Sequence, residues 1–324
     1  MKSIPELQEL IRQEIDQLHF GERPKDLYDP ISYIMSLGGK RMRPLLVLMA
    51  YQLKHKDVEA VISPAVAVEV FHNFTLMHDD IMDEAPLRRG KPTVHEKWNR
   101  NVAILSGDTM LVKAYDLLLN IPNEVLPEAL RLFNRCAVEV CEGQQIDMDF
   151  ETQDTVQVEE YLNMIRLKTA VLLGFSLELG ALLAGFEEAD RKRICDFGVS
   201  MGLGFQLMDD LLDVYGDQSK FGKQVGGDIV SNKKTYLLIR ALEQANGIQK
   251  QELESWLGKE DYVVAEKVDA VRSIYDQLDI KGQTTEKMNQ YFDQAFRILD
   301  GLDAEPDGKS QLKTFASSLI NRES

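Results

Sequence analysis

The stretch PAVAVEVFHNFTLMHDDIMD, Pro64 to Asp83, is apolar for most of its length and then ends in three aspartates. An apolar run of this length predicts a buried helix, because a surface helix would show one polar face. The rest of the chain agrees with a helical reading. Val264, Val268, Val271, Tyr275 and Leu278 step by four, three, four and three, which makes one apolar stripe. Leu7, Ile11, Ile15 and Leu18 make another. No proline lies between Pro127 and Pro306, so the turn punctuation of a strand-rich protein is missing. Period-2 runs are few, and there is no βα alternation, fixed-length repeat or low-complexity segment.

The breaks are short: Gly21–Pro24, Gly38–Gly39, Ala85–Thr93, Ile121–Pro127, Gly216–Asp228 and Asp303–Lys309. None has the length of a domain linker. The expected architecture is therefore all-α. It is one large domain over residues 1–324, with ten or more helices around a central bundle.

Bulk composition narrows the function. The 324 residues carry a formal charge of −16, which argues against nucleic acid as a partner. Cys136, Cys141 and Cys195 form no C-x-x-C pair and read as idle or buried thiols in a reducing compartment. The N-terminal MKSIPELQELIRQEI is charged and amphipathic, without the apolar core of a signal peptide. The most apolar stretch, Thr169 to Gly185, contains Glu178 and is short for a membrane span, so a core helix is expected there. A cytoplasmic protein that does not cross a membrane is the resulting expectation.

On a helix, Asp79, Asp80 and Asp83 stand at about 0°, 100° and 40°. Three carboxylates on one face at the end of a buried helix repel one another and resist desolvation. A cation relieves both. The D-D-x-x-D spacing recurs in GFQLMDDLLDVYGD as Asp209, Asp210 and Asp213, again after an apolar, glycine-containing run. Either motif alone could be a solvated acidic face; two at the same spacing point to a metal. Both offer only carboxylate oxygen, without the Glu-x-x-His of a di-iron bundle or the Cys/His set of a zinc site. Hard oxygen ligands select Mg²⁺, with Mn²⁺ as a substitute, and Mg²⁺ is commonly completed by substrate phosphates.

Positive charge is local despite the acidic total. Lys40, Arg41 and Arg43 follow two glycines in GGKRMRP; Arg88, Arg89 and Lys91 follow the first aspartate motif. Lys168 in RLKTA, Lys223 in FGKQVGGD, and Lys233 with Lys234 in SNKKTY come later. Glycine beside a cation lets backbone approach an anion, and arginine presents a rigid fork to phosphate oxygens. Carboxylates for the metal and cations for the remaining oxygens describe a metal-chelated diphosphate. A separate basic patch could hold a second diphosphate without metal.

GGKRMRP, the two DDxxD motifs, the LRRG after the first and the FGK…GGD…K segment together resemble the trans-isoprenyl diphosphate synthases, from about residue 25 to 240. The resemblance implies an all-α bundle with a deep cavity, usually a homodimer, and magnesium at the six aspartates. It implies an allylic diphosphate on that metal, contacted by Arg88, Lys168, Lys223 and Lys233. Isopentenyl diphosphate would lie on Lys40, Arg43, His72 and Arg89. Thr169 and Gln206 match polar groups near the allylic cation. Gln144 and Asp147, in GQQID, match a motif supporting the metal site. The implied reaction ionises the allylic C–O bond, joins the cation to the double bond of isopentenyl diphosphate and releases a proton, which the departing diphosphate would accept.

Product length in this family depends on bulk below the first aspartate motif. Phe74, five residues before Asp79, is the candidate floor, and Thr75 beside it is small. This pattern resembles the C20 geranylgeranyl type, with a C15 farnesyl product as the alternative. A terpene cyclase is disfavoured, since the second site reads DDLLD and GGKRMRP is present. A catalytically silent subunit of a heteromeric synthase is disfavoured because all six aspartates are kept. A magnesium phosphohydrolase would need neither the second basic site nor an apolar bundle. Two departures from the family pattern are Lys234, where a small residue is frequent, and the non-basic tail SLINRES.

Overall fold

The computed structural model describes residues 1–216 and 226–320. Most of these residues are helical, and the expected ten or more helices are present. The strands among the described residues are β1 (Leu87–Arg88) and β2 (Lys91–Pro92), paired antiparallel with Leu87 opposite Pro92. The stretch Ala85–Thr93 is therefore a hairpin rather than a plain break. Its turn residues Arg89 and Gly90 have φ of 53° and 74°, the type I′ combination whose twist matches the flanking strands.

The chain divides into two compact units. The first comprises Met1–Arg135, Phe175–Cys195 and Leu302–Leu312. At its heart lies α4 (Ile62–Met82), packed against α3 (Met42–Tyr51) and α6 (Arg100–Leu118), with α2 (Lys25–Ser36) on α6. Every residue from Pro64 to Phe71 is buried, as the apolar run predicts. The stretch Val58–Met82 is long and apolar enough to cross a membrane, but its most apolar 18-residue window is 67% buried inside the protein. Phe71 meets Phe133 edge to face at 5.0 Å, and Phe133 meets Phe175 at 5.8 Å, contacts worth about 0.5–1.5 kcal/mol each beyond burial.

The second unit comprises Cys136–Gly174, Asp196–Gly301 and the residues from Lys313 on. It holds α8 (Val158–Ile165), most of α7 (Leu126–Thr152) and most of α10 (Glu188–Tyr215). Beyond the undescribed stretch follow the single turn α11 (Gly227–Val230), then α12 (Tyr236–Gln244), α13 (Gly247–Leu257), α14 (Val264–Gln277) and α15 (Ile280–Asp300). The stripe on α14 is buried at Val268, Val271 and Tyr275. The apolar stretch from Thr169 becomes the buried helix α9 (Val171–Leu183). It is entered through five residues of π-helix, Arg166–Ala170, which the sequence pattern does not announce.

Candidate active site

In the first unit the aspartates close α4. Asp79 and Asp80 lie in its last turn and Asp83 is its C-cap. The end is a Schellman turn: Ala85 N–H donates to Asp80 O (3.0 Å) and Glu84 N–H to Ile81 O (3.4 Å), with Glu84 left-handed at φ 49°. The chain then reverses through the β1–β2 hairpin, which aims Arg88 back at the aspartates. Arg88 Nε donates to both Asp80 oxygens (2.9 and 2.8 Å), and its Nη2 lies 2.7 Å from Asp80 and 3.5 Å from Asp79. The three carboxylates are not equivalent. Asp80 is 2% exposed, whereas Asp83 is open to solvent. Burial pushes the Asp80 carboxyl up despite the pull of Arg88.

Beside this pair a group of cations converges. Arg43, on the first turn of α3, brings Nη1 to 3.0 Å from His72 Nε2 on α4. Arginine can only donate, so His72 accepts at Nε2 and carries its proton at Nδ1. Burial, then the charges of Arg43, Arg89, Arg88 and Arg41, hold the His72 imidazole well below its usual range. Arg89 donates to Gly38 O, and its guanidinium lies where a Cβ on Gly39 would be, 2.7 Å from Nη2. With Gly38 and Gly39 at φ 78° and 125°, the GG pair is required both for the turn and for this approach. Burial and the charge of Arg41 lower the Arg89 pKa.

Arg41 itself is structural. It pairs with buried Glu69 at 2.5 Å and donates to Met35 O. Removing one partner of such a buried pair costs about 3–5 kcal/mol. Lys40 is exposed at the rim of the same loop.

Lower on α4, Phe74 sets its ring 4.7 Å from His78, edge to face. His78 Nε2 reaches Ile104 O on α6 at 3.3 Å, and it has room because residue 107 is glycine: a Cβ there would stand 2.6 Å from His78 Cδ2. Thr75 donates to His72 O (2.8 Å).

In the second unit, glycine spacing assembles the polar groups. Gly143 on α7 lies against the backbone of the π-helix; a Cβ there would stand 2.6 Å from Leu167 C and Lys168 Cα. One helical turn after Gly143 comes Asp147, which receives Lys168 Nζ at 2.6 Å and has Lys233 Nζ at 4.0 Å. Burial raises the Asp147 carboxyl, but Lys233 and Lys168 outweigh it and hold it below its ordinary value. Gly202 on α10 meets Ala170 in the same way, at 2.8 Å from its Cα. One turn on, Gln206 faces Thr169 (3.4 Å) and donates to Asp210 Oδ1 (3.2 Å). Tyr161 donates to the other Asp210 oxygen. Burial, then the nearby Asp228, push the Asp210 carboxyl up to about 7. Asp213 accepts the Asp228 N–H at 2.9 Å, and Asp209 is exposed. Gln144 Nε2 is buried without a hydrogen-bond partner among the described residues.

Most of the expected residues thus gather in two groups, Arg43, His72, Asp79, Asp80, Arg88 and Arg89 in one unit, and Asp147, Lys168, Thr169, Gln206, Asp210, Asp213 and Lys233 in the other. Lys223 lies outside the described residues. Among the described residues no three His, Cys, Asp or Glu side chains form a ready metal cage. Magnesium does not need one, since it keeps waters and takes one or two carboxylates with substrate oxygens. The oxygen-only donors fit that ion, and the raised Asp80 and Asp210 carboxyls are groups whose charged form a cation would favour.

The polyprenyl synthetase family model matches residues 24–278. The chain belongs to that family. A geranylgeranyl pyrophosphate synthase from Geoglobus acetivorans is 38% identical over 97% of this chain and 96% of its own length. A short chain isoprenyl diphosphate synthase from Methanocaldococcus jannaschii is 42% identical over 78% of this chain and 77% of its own. The crystal structure of a geranylgeranyl pyrophosphate synthase matches with TM-score 0.95 and 44% identity, covering 100% of both chains. This polyprenyl synthetase is a prenyltransferase with the all-α fold of those enzymes.

Several residues that shape its sites escaped the sequence reading: Tyr161, the Arg41–Glu69 pair and the glycines Gly143 and Gly202. Gly143 and Gly202 carry the one usable signal, each lying one turn before a polar site residue on a helix.

Proposed function

We propose that this prenyltransferase condenses isopentenyl diphosphate with an allylic diphosphate, head to tail, to give all-trans geranylgeranyl diphosphate. The observation that carries the reading is the cation group of Arg43, His72 and Arg89 around Gly38–Gly39, beside the Arg88–Asp80 pair. Four arginine charges, those of Arg43, Arg89, Arg88 and Arg41, act on His72 in this group. A diphosphate anion is the complement of such a concentration of positive charge.

In this proposal Lys40, Arg43, His72 and Arg89 hold isopentenyl diphosphate, and Gln144, in one motif with Asp147, supports the metal site. Asp79, Asp80, Asp83, Asp209, Asp210 and Asp213 would hold two or three Mg²⁺ ions, or Mn²⁺. When bound, the metal neutralises charge on the leaving diphosphate. Arg88, Lys168, Lys223 and Lys233 orient the allylic diphosphate and receive charge as the C–O bond breaks. Asp147 keeps Lys168 aimed. Thr169 and Gln206 turn their dipoles toward the allylic cation, and the apolar helices keep water from quenching it. No side chain in these groups is needed as base, because the released diphosphate can take the proton.

Phe74 sets the product length. His78 braces its ring, and Ile104 O and the Gly107 gap fix His78, so the aromatic cannot swing aside; small Thr75 adds no second block. We read the chain as one prenyltransferase domain, because the matched relatives span nearly all of it. We also propose a cytoplasmic homodimer. Leu105 and Val112 on α6 and Leu119 at its C-cap repeat every seven residues, each 59% exposed, with Ile104 at 42% beside them. An apolar stripe of that kind calls for a partner surface.

Substitution of Asp79 or Asp209 by alanine tests the metal-dependent reading. Both variants should keep the helical circular-dichroism spectrum and lose at least about 100-fold in turnover. Near wild-type turnover in both would remove the aspartates from the reaction.

A further inference from the structure

Lys267, on α14, is 1% exposed. Its ammonium donates to Asn232 Oδ1 (2.7 Å) and Val230 O (3.2 Å) and lies 4.4 Å from the centre of the Tyr262 ring. Among the described residues no carboxylate pairs with it. Burying an ammonium against neutral acceptors opposes folding, and a methionine of the same length would fill the space without that penalty. Both of its hydrogen-bond acceptors lie in one place, the segment Gly226–Lys233.

That segment cannot hold its own shape. The turn α11 is four residues, too short to be stable alone. Gly226 and Asn232 sit in the left-handed region, at φ 84° and 53°. It is fastened from outside: Val268 packs on Gly226, Tyr262 donates to Val230 O (3.0 Å), Asn232 donates to Leu257 O (2.9 Å), and Lys267 grips Val230 and Asn232 together. The fastened segment in turn meets the second aspartate motif. Gly226 N–H donates to Asp213 O (2.7 Å), Asp228 N–H to Asp213 Oδ2 (2.9 Å), and Lys233 N–H to Asp228 O (2.9 Å).

We infer that Lys267 is a positioning residue for the second aspartate motif, holding the segment that aims the Asp213 carboxylate and delivers Lys233. The inference rests on the proposed role of Asp213 and Lys233 toward a magnesium-chelated allylic diphosphate. It concerns no contact of Lys267 with substrate or metal.

The test uses the full-length protein with Lys267→Met, Lys267→Arg and, should the methionine variant fold poorly, Asn232→Gly, which removes the acceptor and suits the left-handed backbone. Amide hydrogen exchange over 226–233 is read beside steady-state kinetics. Lys267→Met and Asn232→Gly should lose protection at Asp228 and Lys233. Their half-saturating magnesium and their KM for the allylic diphosphate should rise about tenfold. The KM for isopentenyl diphosphate should stay within about twofold, and Lys267→Arg should recover most of the loss. Unchanged exchange in Lys267→Met overturns the fastening role. Lost protection with unchanged magnesium and allylic dependence overturns the positioning role and leaves the proposed function standing, since the Asp209 substitution tests that separately.

Discussion

Gly143→Ala separates fold stability from site geometry. The added methyl would stand 2.6 Å from Leu167 C and Lys168 Cα, and closer still to Lys168 N, where ordinary contact begins at 3.4 Å. Both sides of the contact are helical backbone, so α7 and the π-helix must part by about 0.8 Å or more. Overpacking of this kind costs about 1–3 kcal/mol, and alanine in place of a mid-helix glycine returns about 1. The expected net destabilisation is therefore about 0–2 kcal/mol, a small shift in a thermal melt. The site fares worse. Lys168 Nζ and Asp147 Oδ2, 2.6 Å apart across that contact, should separate beyond hydrogen-bond range, and a misplacement of about 1 Å can lower turnover about 100-fold. The assay pairs melting of the purified variant with steady-state condensation kinetics. A variant with wild-type kcat and allylic KM would refute the argument that Gly143 places Lys168.

Further outcomes are expected. Phe74→Ala should lengthen the product beyond C20, and His78→Ala should do so partially by freeing the Phe74 ring; mass analysis of the prenyl chains reads both, and unchanged length in both would reduce Phe74 to core packing. His72 is held far below its ordinary 6.5, so the unfolded chain binds a proton there that the folded chain refuses. Stability from this group is complete above that value and is lost as pH falls below it; His72→Gln should flatten melting temperature against pH between about 7 and 5. Val112→Glu should shift the protein to monomer in sedimentation, since it buries a charge in any interface formed by the α6 stripe; an unchanged sedimentation coefficient would place the partner surface elsewhere.

The helices that carry the site were legible because they are extreme. The α4 run is too apolar to be anything but buried, and its terminal aspartates stand out against it. Arg88 and Arg89 were visible as charges, but their opposite directions were not, because a type I′ turn with arginine at its first position has no strong residue signal. Asp79, Asp80 and Asp83 share a helical face by arithmetic, yet the cap at Asp83 and the grip of Arg88 give them three different environments. Contacts set by tertiary approach stayed hidden. Tyr161 reaches Asp210 across a gap of many residues in sequence, and Gly143 matters only for what lies against it. Lys267 interrupts the α14 pattern as an ordinary charged residue would, and only its burial reveals it.

The most direct test of the account is the product made by the purified protein from isopentenyl diphosphate and magnesium with dimethylallyl, geranyl or farnesyl diphosphate as primer. A single C20 prenyl diphosphate from each primer is the predicted result. A discrete C15 product, or one longer than C20, would contradict the Phe74 floor, and no condensation by folded protein with any primer would contradict the synthase itself.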